Sequence, residues 1–156
     1  MLLVFAWTSL LHAQSSRILR TPRNMSFGGI MNQIQEYSDG SIPDALGSRF
    51  DGSSFRVAVV VNRDGFVNCD YDDRGNTRLK KQLHVSDNLI HELADSVCSS
   101  VRTWKFRPLI IEERAYAFLG PIVVNIERQK FVLPDPDPRW QYNPPPVRRK
   151  SGMDAD

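Results

Sequence analysis

With two cysteines and three histidines in 156 residues, the chain is poor in metal ligands and redox groups. Those residues do not supply a four-ligand zinc site of the usual spacing, and no Cys-x-x-Cys pair occurs. Charge of one sign is also lacking. Twenty Lys and Arg against 18 Asp and Glu leave a net +2, too little and too dispersed to neutralise a phosphate backbone. No nucleic-acid partner is expected. There is no Gly-x-Ser-x-Gly elbow, and Gly28-Gly29 lacks the strand and downstream lysine of a phosphate cradle. The longest apolar run, residues 2–13, falls short of the roughly 20 residues that cross a bilayer. What is present is core material: 41% hydrophobic residues, with 8 Phe, 4 Tyr and 3 Trp. That suits one folded domain with tails.

Residues 1–13 read as a signal peptide, uncharged and apolar, ending in Leu11-x-Ala13 ahead of the first cation, Arg17. No basic residue precedes the apolar run. An upstream start with a membrane anchor is therefore the alternative. Residues 14–40 form an N-terminal extension, in which Ile30, Met31, Ile34 and Tyr37 recur at helical spacing and predict one short amphipathic helix. Asp39 to Ser54 reads as a turn-rich connector.

Phe55 to Asn62 is β-branched, Arg63-Asp64-Gly65 is a turn, and Phe66 to Tyr71 alternates apolar with polar: a β-hairpin. Val57, Val59 and Val61 share one face, as do Val67, Cys69 and Tyr71. Ser86 caps a predicted helix of about 19 residues, whose stripe of Leu89, Ile90, Leu93, Ala94, Val97, Val101 and Trp104 suits packing on that hairpin. Tyr116 to Leu119 and Ile122 to Ile126 are strand-like around Gly120-Pro121. Because proline lacks an N–H, this third strand is expected at an edge, with a kink. From Pro134 six prolines fall within thirteen residues, which predicts an extended or disordered tail over 134–156.

Several apparent motifs fail on chemistry. His91-Glu92-Leu93-Ala94-Asp95 opens like a zinc-protease helix, but Asp95 stands where the second histidine must be. Asp70 to Gly75 opens like a calcium loop, yet Arg74 and Lys81 occupy ligand positions. No metal, cofactor or catalytic residue is expected. Asn24-Met25-Ser26 is a glycosylation sequon, meaningful only on a secreted eukaryotic chain. Cys69 and Cys98 could meet across the sheet–helix interface, either as a disulfide in an oxidising compartment or as two separate buried thiols.

The region Ser41 to Leu133 resembles the C-terminal domain of the energy transducer TonB. The resemblance lies in Pro43-x-Ala45 and Gly52, the Val57-x-Val59-x-Val61 strand running into Asp64-Gly65-x-Val67, and the apolar helix leading to Trp104-x-Phe106-x-Pro108. A closing strand through Ile122, Val124, Ile126 and Phe131 completes it. It implies an α+β fold: a three-stranded antiparallel sheet with one long and one short helix on one face, located in the periplasm or secreted. It also implies a non-enzymatic role, binding an extended peptide by β-augmentation at the third strand, where Val123, Asn125 and Glu127 would flank the accepting edge. Expected partners are an extended segment of a membrane or periplasmic protein, an outer-membrane transporter among them, or a second copy paired through edge strands. The alternative is a truncated TonB-type energy transducer whose anchor is missing from the start. A small secreted hydrolase is the reading from another class, and no nucleophile–base pair supports it.

Overall fold

The computed structural model describes residues 21–135; the expected signal peptide and nearly all of the Pro-rich tail lie outside them. In chain order the elements are β1 (Arg23–Asn24), α1 (Phe27–Gln33), β2 (Ile34–Glu36), β3 (Gly40–Ser41), α2 (Asp44–Phe50), β4 (Ser54–Val61) and β5 (Val67–Tyr71). These are followed by α3 (Asp73–Leu83), α4 (Asp87–Val101), β6 (Lys105–Phe106), β7 (Leu109–Ile111), β8 (Arg114–Tyr116), β9 (Phe118–Glu127) and β10 (Lys130–Val132).

Period-two alternation builds the centre. Along β4, Phe55, Val57, Val59 and Val61 are buried while Ser54, Ala58 and Val60 are exposed, and β9 repeats the pattern with Phe118, Ile122, Val124 and Ile126 inward. The two strands pair antiparallel over their length, from Ser54 opposite Asn125 to Val61 opposite Phe118. β5 pairs with β4 through the hairpin, in which Gly65 takes the positive φ of 86° that the turn requires. Helix α4 covers the inner face with Ile90, Leu93, Ala94, Val97, Cys98 and Val101. At 1.5–3 kcal/mol for each large apolar side chain removed from water, this sheet–helix interface is the main source of stability.

The sheet is larger than a three-stranded meander. Its order is β3-β10-β9-β4-β5, with β1 joining β9 in parallel, and two further two-stranded ladders pair β2 with β6 and β7 with β8. There are four helices among the described residues, not one long and one short. Each discrepancy has a local cause. Strands of two or three residues are too short to show alternation. β10 follows Glu127 through a turn in which Arg128, a non-glycine, holds φ 55°, so no glycine marks the reversal. α2 is hidden in what reads as a connector, and α3 in a stretch that reads as polar turn because Asn76 is its single buried residue.

Two boundaries also move. The first helix is Phe27–Gln33, capped by Ser26, whose side chain accepts the Gly29 N–H; the expected positions Ile34 and Tyr37 lie beyond it. The long helix stops at Val101, 15 residues in all, because a tight turn follows in which Thr103 donates to Ser100 O and Trp104 to Val101 O. Trp104 is buried outside the helix, its indole N–H donating to the Ser38 carbonyl at 3.2 Å.

The third strand is interior. β9 has β4 on one side; on the other, β10 pairs with its Asn125–Glu127 end and β1 with its Phe118–Leu119 end. Pro121 is tolerated there for a clear reason. Ile126 N–H bonds Ser53 O toward β4, whereas Leu119 C=O accepts from Met25 N–H on the opposite side. Odd-numbered residues of β9 thus direct their backbone away from β4, and the nitrogen of Pro121 faces the gap between β1 and β10.

Candidate functional site

Among the described residues the sheet ends at β5, a five-residue strand with no neighbour on its outer side. Which of its backbone groups face outward follows from its partner. Asn76 accepts the Arg56 N–H at 2.9 Å and donates to the Arg56 C=O at 2.6 Å, continuing the β5 side of β4 where β5 has ended. Arg56, Ala58 and Val60 therefore direct their backbone toward β5, and their opposite numbers there, Asp70 and Asn68, point back at them. By alternation, Val67, Cys69 and Tyr71 aim N–H and C=O away from the sheet.

Two side chains sit on this edge. Arg102 donates through Nη2 to the Cys69 carbonyl at 2.8 Å, and the Asp70 carboxylate accepts the Tyr71 N–H at 2.7 Å. Both are side chains of exposed residues, and they screen a row of backbone groups that would otherwise template association. Phe66, 75% exposed, flanks the start of the strand.

The edge is held rigidly from behind. Cys69 is disulfide-bonded to Cys98 of α4, with Cα atoms 5.4 Å apart. Tyr71 lies between Phe55, at a ring separation of 6.2 Å, and His91 of α4, at 4.7 Å. Burial, reinforced by Asp73 and opposed by Lys80, pushes the Tyr71 phenol above its ordinary pKa of 10.0. Lys80 and Asp87 form an exposed ion pair that ties α3 to the start of α4 and lowers the Asp87 pKa, chiefly through their hydrogen bond.

The residues expected to carry function separate into three groups. Val57, Val59, Val61, Trp104 and Phe106 are all core, Gly65 is in the hairpin turn, and Pro108 is exposed between β6 and β7. Val123, Asn125 and Glu127 do not flank a free edge, because Asn125 and Glu127 pair with Val132 and Lys130 and only the stretch around Val123 lies between the two flanking strands. That gap is bounded by β1 and β10 and lacks the Pro121 donor, so β9 does not present the continuous open ribbon expected of an edge strand. The cysteines are brought together. His91 lies against Tyr71, and no group of three His, Cys, Asp or Glu side chains able to hold a metal occurs among the described residues.

β5 itself was legible as a strand, but nothing local distinguishes its free side from that of β9. No family profile, curated protein or solved structure matches the chain.

Proposed function

We propose that this chain is a non-enzymatic, exported binding module, related in design to TonB C-terminal domains, that takes an extended segment of a partner protein as an added strand along β5. The observation that carries the reading is the outer side of β5, where backbone groups at Val67, Cys69 and Tyr71 face away from the sheet with no strand beside them. Export is supported by the Cys69–Cys98 bridge, a bond that persists in oxidising compartments.

Each added backbone hydrogen bond contributes about 0.5–1.5 kcal/mol net, so a segment of five residues gains a few kcal/mol from the ladder before the costs of association. Backbone pairing carries no sequence information. Selectivity then rests on Phe66, which offers an apolar contact, and on Asp70, which favours a basic side chain opposite it.

The test selects binders to the full chain from a displayed library of random ten-residue peptides and titrates the best of them. Val67→Pro removes one outward N–H without touching the β4 ladder and is expected to weaken binding at least tenfold, while circular dichroism confirms the fold. Arg102→Ala frees the Cys69 carbonyl and should strengthen binding. Unchanged affinity in both variants, or no peptide enriched, rejects the reading.

A further inference from the structure

A stripe of α4 runs along the free side of β5. His91 lies against Tyr71 at a ring separation of 4.7 Å, Cys98 is bonded to Cys69, and Arg102 donates to the Cys69 carbonyl at 2.8 Å. Steps of three and four residues put Asp95 on the same stripe, because residues so spaced share one side of a helix. Asp95 is exposed, and its carboxylate has no partner among the described residues. The stripe therefore offers an acid and a base to whatever joins the edge.

We propose that the strand added at β5 is the β5 of a second copy of this chain, paired antiparallel about a two-fold axis at Cys69. The inference rests on the proposed function and names its partner. Such an axis sets Cys69 opposite Cys69 and Val67 opposite Tyr71, so each outward-facing residue exchanges N–H and C=O bonds with its counterpart over the whole strand. Charge selects this register. On the solvent face Asn68 stands opposite Asp70 of the second copy, an amide beside a carboxylate, whereas an axis at Asp70 would oppose like charges and shorten the overlap.

The helices complement one another as well. Cys98 lies at the margin of the buried stripe of α4, so the helix reaches β5 sideways and its axis is set back from the edge. That leaves room for a second helix across the axis. Because Cys98 is bonded to Cys69, the two-fold brings Arg102, four residues after Cys98, level with Asp95 of the second copy, three residues before it. Each copy supplies one acid and one base to the other. Arg102 thereby exchanges the Cys69 carbonyl for a carboxylate, and the carbonyl it releases accepts the Cys69 N–H of the second copy. In the lone chain the same arginine screens the edge.

The test is sedimentation velocity on the full chain over a concentration series. Reversible dimerisation is expected, and the best of the selected peptides should dissociate the dimer. Asp95→Arg and Arg102→Glu each set like charges across the axis and should weaken dimerisation about tenfold or more, with circular dichroism confirming the fold. Mixed in equal amounts, the two variants restore opposite charges at both contacts, and a dimer should reappear. A dimer unmoved by either substitution, or a mixture that stays monomeric, overturns the inference. A chain that is monomeric at every concentration yet binds a selected peptide through β5 also overturns it, and leaves the proposed function standing. Val67→Pro controls the shared premise: a dimer and a peptide affinity that both survive it reject the proposed function together with the inference.

Discussion

Asn76 is the one buried polar residue among those described, 1% exposed, and its side chain does the work of a missing strand. Besides the two bonds to Arg56 its amide donates to the Asp72 carbonyl at 2.9 Å. Truncation to alanine strands the Arg56 N–H and C=O beneath α3, a loss that belongs in the range of about 2–3 kcal/mol. Urea unfolding of Asn76→Ala measures it, and a change under about 0.5 kcal/mol would contradict the role. Tyr71 presents the opposite case, a hydroxyl buried without a partner in the described structure. Tyr71→Phe should therefore leave stability near neutral pH unchanged or slightly raised. Its folded-state pKa is raised, so its contribution is fully present below pH 10 and is lost as pH rises through the folded value. Stability curves from pH 8 to 11.5 should fall less steeply at the alkaline end in Tyr71→Phe than in the parent.

At the scale of elements, the packing of β5 on α4 is reinforced by one covalent link. The bridge closes a segment with a sequence separation of 29 residues, and on the chain-entropy account that constraint contributes about 3.5 kcal/mol. Replacing both cysteines by alanine is expected to cost about that much, plus the lost packing of two buried side chains. Because the sulfurs belong to residues 3% and 2% exposed, dithiothreitol should reduce the bridge only through unfolding. Reduction of the native protein at the rate of an exposed disulfide would contradict this burial. α3 shows how an element escapes a composition-based reading. Asp72 accepts the Gly75 N–H to start it, the exposed Lys80–Asp87 pair tethers its last turn, and Leu79 and Leu83 give it a narrow contact with the core. The helix is amphipathic, but with only Leu79 and Leu83 among eleven otherwise polar residues its overall composition reads as a solvated turn.

For the whole molecule, the sheet order ranks the backbone by protection. Amides of β4 and of the β4-facing positions of β9 should exchange slowest in deuterium, while the outward N–H groups of Val67 and Cys69 should exchange fastest within the sheet. A β5 edge as protected as β4 in the lone chain would mean that something already covers it. The hairpin, the α4 stripe, the buried valines and the turn at Gly65 were all legible beforehand, since alternation, helical spacing and glycine at positive φ are properties of neighbouring residues. What lies at the end of the sheet is not such a property. Whether β9 or β5 is the edge depends on β10, β1 and β3, and those are segments of two or three residues whose strand character comes from docking and not from their own composition. The sequence by itself determined the inward faces of the β4–β5 hairpin, of β9 and of α4, and that Cys69 and Cys98 could meet; tertiary structure alone decided that Ile42, Leu46 and Phe50 join the core and that β5 is left open, because both depend on neighbours distant in the chain that no local pattern encodes.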